Sequence, residues 1–214
     1  MTGVLPLSSD ELLTTTRSVR KRLDPTRPVP LDVIRECLEI ARQAPTGGNR
    51  QDWHWLVVTD RGHRTRIGEL YAESFGRYRR ASTYGATRGG TPATQSRVKD
   101  SAEYLAEVMG RVPVLVIGAL DVGGDGELPP GNQAGLWGSL LPAAWSFQLA
   151  ARARGLGSAW TTLHLRHERA ISELLGVPPS VRQGVLLPVA YYTGETFRPA
   201  PHGPLDDVLH VDGW

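Results

Sequence analysis

The sequence predicts an α+β fold, on three observations. Helix-patterned and strand-patterned segments follow one another irregularly, without the repeated strand–helix–strand unit of a doubly wound parallel sheet. Four short apolar runs have strand character, and one of them, Gln183–Tyr192, is apolar almost throughout, as a strand buried on both faces would be. The chain is 214 residues long with 40% hydrophobic and 21% charged residues, the make-up of one ordinary globular domain spanning 1–214.

In chain order, Ser8-x-x-Glu11 forms a capping box that opens a short helix reaching about Thr16. The basic stretch Arg17–Asp24, RSVRKRLD, follows. Leu31–Ala44 carries Ile34, Leu38 and Ala41 at helical spacing, and Pro45 stops it. Next comes QAPTGGNRQDWHWLVV, in which a small polar knot at Thr46–Asn49 separates that helix from a strand at Trp53–Thr59. Trp53 and Trp55 share one face of that strand and are expected to anchor the loop in the core. Arg61–Arg80 reads as a helix and Ala81–Gln95 as a long Gly/Pro-containing loop; residues 77–97 together form a lid or a plain surface loop. A helix at Ser96–Met109 leads to a buried-type strand, Pro113–Leu120. After the turn-rich Asp121–Asn132, Gln133–Arg154 is the longest helical pattern, with Gly155 where a left-handed C-terminal cap belongs. Then follow a strand at Ser158–Leu163, a helix at Arg166–Leu175, the strand Gln183–Tyr192, and a proline-rich polar tail over residues 194–214.

Net charge is +2, so nothing global draws the chain to nucleic acid or to a membrane surface. The most apolar helix, around Leu136–Ala151, contains Pro142, Ser146 and Gln148 and suits a buried core helix better than a bilayer span. Cys37 is the only cysteine, which excludes an internal disulfide and suits a reducing compartment. The first residues, MTGVLPLSSDELL, have neither the basic nor the apolar region of a secretion signal. A cytoplasmic protein is expected.

Side-chain chemistry is sparse. Neither Lys21 nor Lys99, the only lysines, follows the glycines of a phosphate-binding P-loop. Gly155-Leu156-Gly157 starts like a dinucleotide fingerprint, but Trp160 stands at the third glycine position and the motif follows a helix. His164-x-x-His167 lacks partner ligands, so packing or surface histidines are expected and no metal. Cys37 lies one turn from both Ile34 and Ala41 and reads as a buried structural thiol; Asp206-Asp207 reads as solvated. No acid–base dyad and no nucleophile–base pair remains. A bound cofactor can supply chemistry that the side chains lack. Arg17, Ser18 and Arg20, just beyond a helix, form either an anion cradle or a solvated basic turn.

The segments RSVRKRL, APTGGNRQDWHWLVV, GLGSAWTTLHL and LPVAYYTGETFRPA…DGW stand in one order. Together, over essentially the whole chain, they resemble the nitroreductase-like FMN-dependent oxidoreductase superfamily. The resemblance implies a central, mainly antiparallel sheet flanked by helices, and an intertwined homodimer with FMN at the subunit interface. It implies that Arg17, Ser18 and Val19 lie along the FMN phosphate and ribityl chain, with Arg20 at the phosphate or the pyrimidine edge. Pro45, Thr46, Gly47 and Asn49 would line the ring from the other subunit. Thr161, Thr162 and Leu163 would offer donors at the reactive nitrogen edge, where Thr161 and Thr162 tune the flavin, so that no protein side chain is obligatory in catalysis. Many relatives close over the phosphate with a late arginine or lysine; this chain reads PAPHGPL there, leaving His202 or Arg198 for that role. The tail, residues 194–214, would pack on the partner subunit.

The implied activity is ping-pong reduction of nitroaromatic, quinone or similar small-molecule acceptors, with NADPH or NADH as reductant. Two alternatives stay open: a reductive dehalogenase or a heterocycle or peptide dehydrogenase of the same superfamily, and a non-enzymatic flavin-binding or storage protein. Thr161-Thr162-Leu163 slightly resembles the dehalogenase branch, but no acidic–Tyr–Lys lid is visible.

Overall fold

The computed structural model describes residues 3–81, 91–195 and 197–214. Among the described residues six α-helices and four strands run in the order α1 (Ser9–Thr15), α2 (Leu31–Ala41), β1 (Trp53–Val58), α3 (Arg61–Arg80), α4 (Pro92–Val108), β2 (Val114–Asp121), α5 (Ala134–Ala153), β3 (Leu156–Ser158), α6 (Glu168–Leu175) and β4 (Val181–Tyr191). The strands form one sheet in the order β1-β2-β4-β3, antiparallel at every pairing. The expected α+β architecture with an antiparallel sheet between helices is therefore what the chain adopts.

Both sheet faces are covered, and the two-residue period of a strand divides the core between them. Leu115, Ile117, Leu186 and Ala190 point to one face with Ile67, Phe75, Leu105 and Ile171 of α3, α4 and α6. Val114, Val116, Leu187 and Val189 point to the other, with Ile34 and Cys37 of α2 and Phe147 of α5. Burial on both faces is why β2 and β4 read as unbroken apolar runs. Cys37 is fully buried in the second cluster, and burial pushes its thiol up to about 12, so it is inert at neutral pH. Trp53 is buried, and Trp55 stacks on Phe147 at 6.3 Å, which ties β1 to α5 as the shared face predicts. No helix among the described residues is long and apolar enough to cross a membrane.

Three elements differ from the sequence reading by three residues or more at one end. The first is α2, which ends at Ala41, before Pro45: Gln43 and Ala44 close tighter turns onto Ile40 and Ala41, because the residue before a proline is kept out of the α region. The second is α4, which starts at Pro92 instead of Ser96. Thr91 caps it through Oγ1, which accepts from the Thr94 amide at 3.2 Å, and Pro92 occupies the first turn. The two ends of the 77–97 segment are therefore helical, while 82–90 lies outside the described residues. The third is the expected strand Ser158–Leu163, which is only Leu156–Ser158 followed by one isolated bridge, Thr161 to Leu186. Leu186 donates its amide to Thr161, so the alternate residues of β4 point their N–H groups this way; Pro188 is next in that row and has none to give. The ladder lapses opposite Pro188 and the chain turns into the 3₁₀ segment Leu163–His167.

Candidate anion-binding cleft

The basic stretch after α1 is built into the sheet edge. Ser18 forms a parallel bridge with Ser158 of β3, and the Val19 amide donates to the Ser158 carbonyl at 2.8 Å. Gly157 makes this approach possible, since a Cβ there would sit 2.9 Å from Val19 Cβ. The Gly155-Leu156-Gly157 run thus serves a left-handed helix cap, with φ +74° at Gly155, and close packing under Val19. Gln148 of α5 fixes β3 from beneath through Ser158 Oγ at 2.9 Å.

Val19 is buried and points inward, whereas Arg17 and Ser18 are exposed and Arg20 is half-buried. Arg17 donates to the Arg198 carbonyl at 2.8 Å, which draws the tail over the stretch. Arg20 reaches Ser101 Oγ of α4 at 3.4 Å, and Lys21 pairs with Asp100 at 2.5 Å. Between these elements lies a cleft of about 540 Å³, walled by Arg17, Ser18 and Arg20 on one side and by Pro199, Ala200 and His202 on the other. No carboxylate lines it among the described residues. Burial lowers the Arg20 pKa from the usual arginine value, while the neighbouring Tyr71 opposes that shift. Tyr71 is itself buried, and burial pushes its phenol up to about 12 despite the Arg20 charge and a hydrogen bond shared with the Thr161 side chain. A guanidinium held in partial shelter from water without a carboxylate partner is an anion site in waiting: donors converge and nothing neutralises them.

The other expected site residues are placed differently. Thr161 is buried, and both its amide (3.1 Å) and its hydroxyl (2.8 Å) donate to the Leu186 carbonyl. Its donors are committed to the sheet, a correction to the expectation that it offers them outward; only Thr162, which is exposed, keeps a hydroxyl at the surface, and Leu163 is half-buried. Pro45, Thr46, Gly47 and Asn49 are far from the cleft. The Gly47 amide donates to Ser139 Oγ near the start of α5, whereas the cradle is tied to α5 at Gln148, about 14 Å further along that helix at 1.5 Å per residue. Within the loop Gly48 has φ +59°, and Asn49 and Gln51 also lie in the left-handed region, at 55° and 56°. A glycine and an asparagine are the residues that tolerate such a turn.

Tyr71, Ser101 and Gly157 were missed from the sequence. They lie about 50 to 140 residues from the cradle and have no local signal, apart from the small residues of GLGS. His164 is fully buried with no hydrogen-bond partner for either ring nitrogen among the described residues, and burial depresses its pKa to about 3. His167 lies 3.5 Å from Glu73, and no group of three or more metal-ligating side chains occurs among the described residues.

Known proteins with this architecture share most of the chain. The protein is 27% identical over 95% of its length to an Archaeoglobus fulgidus protein that carries the provisional name NADH dehydrogenase/NAD(P)H nitroreductase, covering 97% of it. It is 27% identical to iodotyrosine deiodinase 1 of Rattus norvegicus, over 93% of this chain and 67% of that one. Its fold matches that of the FMN- and NADPH-dependent nitroreductase NfnB of Sphigopyxis sp. strain HMH with a TM-score of 0.69 at 24% identity, over 97% of this chain and 100% of the other. Residues 13–191, which span the cradle, the sheet and the helices on both its faces, match the profile of the nitroreductase family, and the chain belongs to that family.

Proposed function

We propose that the protein is an FMN-dependent oxidoreductase that draws electrons from NADPH or NADH and passes them to small-molecule acceptors of the nitroaromatic or quinone type. The observation that carries this reading is the carboxylate-free cleft in which Arg17, Ser18, Arg20 and His202 meet. Its donor chemistry fits the FMN phosphate: two guanidiniums, a hydroxyl and an imidazole face one space with no competing anion. Arg17 and Ser18 would hold the phosphate, Arg20 would add sheltered positive charge beside it, and His202 would take the place of the late arginine or lysine of many relatives. Arg198 contributes its carbonyl to Arg17, so its guanidinium is not required for that closure. FMN, when bound, supplies the two-electron chemistry for which the chain has no side-chain dyad.

A homodimer is part of this proposal. The Pro45–Asn49 loop and the cradle sit at separated points along α5, so a second copy is the means of bringing one loop to the other chain's cradle. Thr162, with its exposed hydroxyl, is the residue of the 161–163 segment left to meet the ring. Residues 194–214 would pack on that second copy, and residues 77–97 would border the acceptor side. The whole chain, 1–214, would act as one FMN-binding domain in the cytoplasm, where the single buried thiol meets no oxidant.

The experiment is a visible spectrum of the purified protein after FMN loading, followed by anaerobic addition of NADPH and then NADH. Flavin absorption that bleaches with either nucleotide and returns with a nitroaromatic or a quinone is expected. Flavin absorption that neither nucleotide bleaches would leave a flavin-binding protein without reductase activity. The likeness to iodotyrosine deiodinase 1 supports a second reading, reductive dehalogenation. Iodide release from 3-iodotyrosine by the chemically reduced, FMN-loaded protein would select it over the first.

A further inference from the structure

The tail wall of the cleft has no secondary structure of its own, since residues 197–203 form no helix or strand. Beside the Arg17–Arg198 bond, an aromatic side chain holds it. Phe197 lies under two guanidiniums, with Arg22 Cζ 4.2 Å and Arg152 Cζ 4.6 Å from its ring centroid. Tyr192 meets the same ring edge-on at 4.9 Å and 77°. Arg152 is buried at 5% exposure, pairs with no carboxylate among the described residues and makes one hydrogen bond, from Nη1 to Tyr192 Oη at 2.5 Å. A buried guanidinium needs negative charge density, and here the faces of Phe197 and Tyr192 and the phenol oxygen provide it. Arg22 secures the approach: its Nε donates to the Thr193 carbonyl at 2.5 Å, and the Thr193 amide returns a bond to the Arg22 carbonyl at 2.9 Å.

The next residue after this cluster is Arg198, whose carbonyl accepts from Arg17, and Pro199, Ala200 and His202 then line the cleft. Phe197, Arg22 and Arg152 do not line it. We propose that Phe197 is a positioning residue: its clamping between Arg22 and Arg152 seats the tail against Arg17 and sets the strength of binding at the phosphate end of the cleft. Without the clamp, Pro199–His202 would be joined to the rest of the cleft only by the Arg17–Arg198 bond, and closing the wall over a ligand would cost the entropy of ordering it. The inference rests on the cleft being the FMN phosphate site.

The test compares FMN with riboflavin, which lacks the phosphate, by flavin-fluorescence titration of the full-length apoprotein. Phe197→Leu keeps an apolar side chain but removes the π face, and Phe197→Trp keeps and enlarges it. Loss of two cation–π contacts predicts an FMN dissociation constant raised about tenfold in Phe197→Leu, riboflavin binding changed less than about twofold, and FMN binding retained in Phe197→Trp. A general packing defect would weaken both flavins alike, and that result, or an unchanged FMN-to-riboflavin ratio, would overturn the proposal. Should Phe197→Leu not fold, Arg22→Met removes one cation from the clamp and is expected to show the same selective loss; an unchanged ratio there overturns it equally. Wild-type protein that binds neither flavin refutes the FMN reading itself, whereas wild-type binding with an unaltered ratio in the variants refutes the clamp alone.

Discussion

Two stretches of this chain, one packed on a glycine and one containing two, are held in opposite ways. The Arg17–Arg20 cradle rests on Gly157 and is woven into the sheet edge, with a bridge to Ser158, a buried Val19 and ties to α4 through Ser101 and Asp100. The Thr46–Asn49 loop is largely exposed and held by one bond to Ser139 and a few local ones, and it carries left-handed backbone at Gly48 and Asn49. Within one chain the cradle is thus a finished, rigid structure, and the loop is a shape presented outward. The difference teaches where binding energy should reside: a preorganised group contributes its interaction in full, whereas a tethered loop first spends part of it on being ordered.

Four measurements would break or sharpen that contrast. The largest effect is expected for Arg17→Ala, which removes a guanidinium from the cleft and unpins Arg198 at once. FMN affinity should fall on the order of 100-fold, the scale of a charge-assisted pair, while Gly48→Ala should leave it within a few-fold, by fluorescence titration. Equal losses would show that the loop is as much a part of the site as the cradle.

The second concerns acid. His164 follows Thr161 and is neutral in the folded state, with its pKa depressed by burial from 6.5 to about 3. The unfolded chain takes up this proton below about pH 6.5 and the folded one does not, so the stability is whole above 6.5 and drains away as the pH falls towards 3. The linkage amounts to about 2 kcal/mol by pH 5. Urea unfolding at pH 7 and pH 5 should show this loss, and His164→Leu should flatten that part of the profile. Hydrogen exchange should place the acid-induced loosening at 156–167 before it reaches 46–49.

A smaller effect is expected for Gly157→Ala. The new Cβ would stand 2.9 Å from Val19 Cβ, so the cradle must shift, at about 1 to 3 kcal/mol by thermal unfolding. Smallest is Gly48→Ala, where a left-handed residue acquires a Cβ in ordinary contact with Arg50 Cγ at 3.8 Å, for about 1 kcal/mol. If Gly157→Ala proves the milder of the two, the cradle is less rigid than its bonding implies.

Helices α1, α2, α3 and α5 and the strands β1, β2 and β4 were legible because their signals are local: a capping box at Ser8, apolar spacing in α2, two tryptophans on one face of β1, a glycine cap at Gly155. The start of α4 has a local signal too, in Thr91-Pro92, but it stands directly after Gly89-Gly90 in a stretch whose composition is that of a loop. The end of β3 was not legible, because it depends on Pro188, some thirty residues away, standing opposite Ala159.

The sequence by itself determined the α+β class, the inert Cys37 and the membership of Arg17, Ser18 and Arg20 in one basic cluster. Each follows from residue type and short-range spacing, which survive without knowledge of the fold. Only the tertiary structure decided that this cluster is a cleft and not a solvated turn. It did so by closing the tail over it through the Arg22–Phe197 and Arg17–Arg198 contacts, and by leaving the cleft, among the described residues, without a carboxylate. Those contacts join residues more than a hundred positions apart, and the charge a side chain carries is set by its type, whereas the partner that answers it is set by packing.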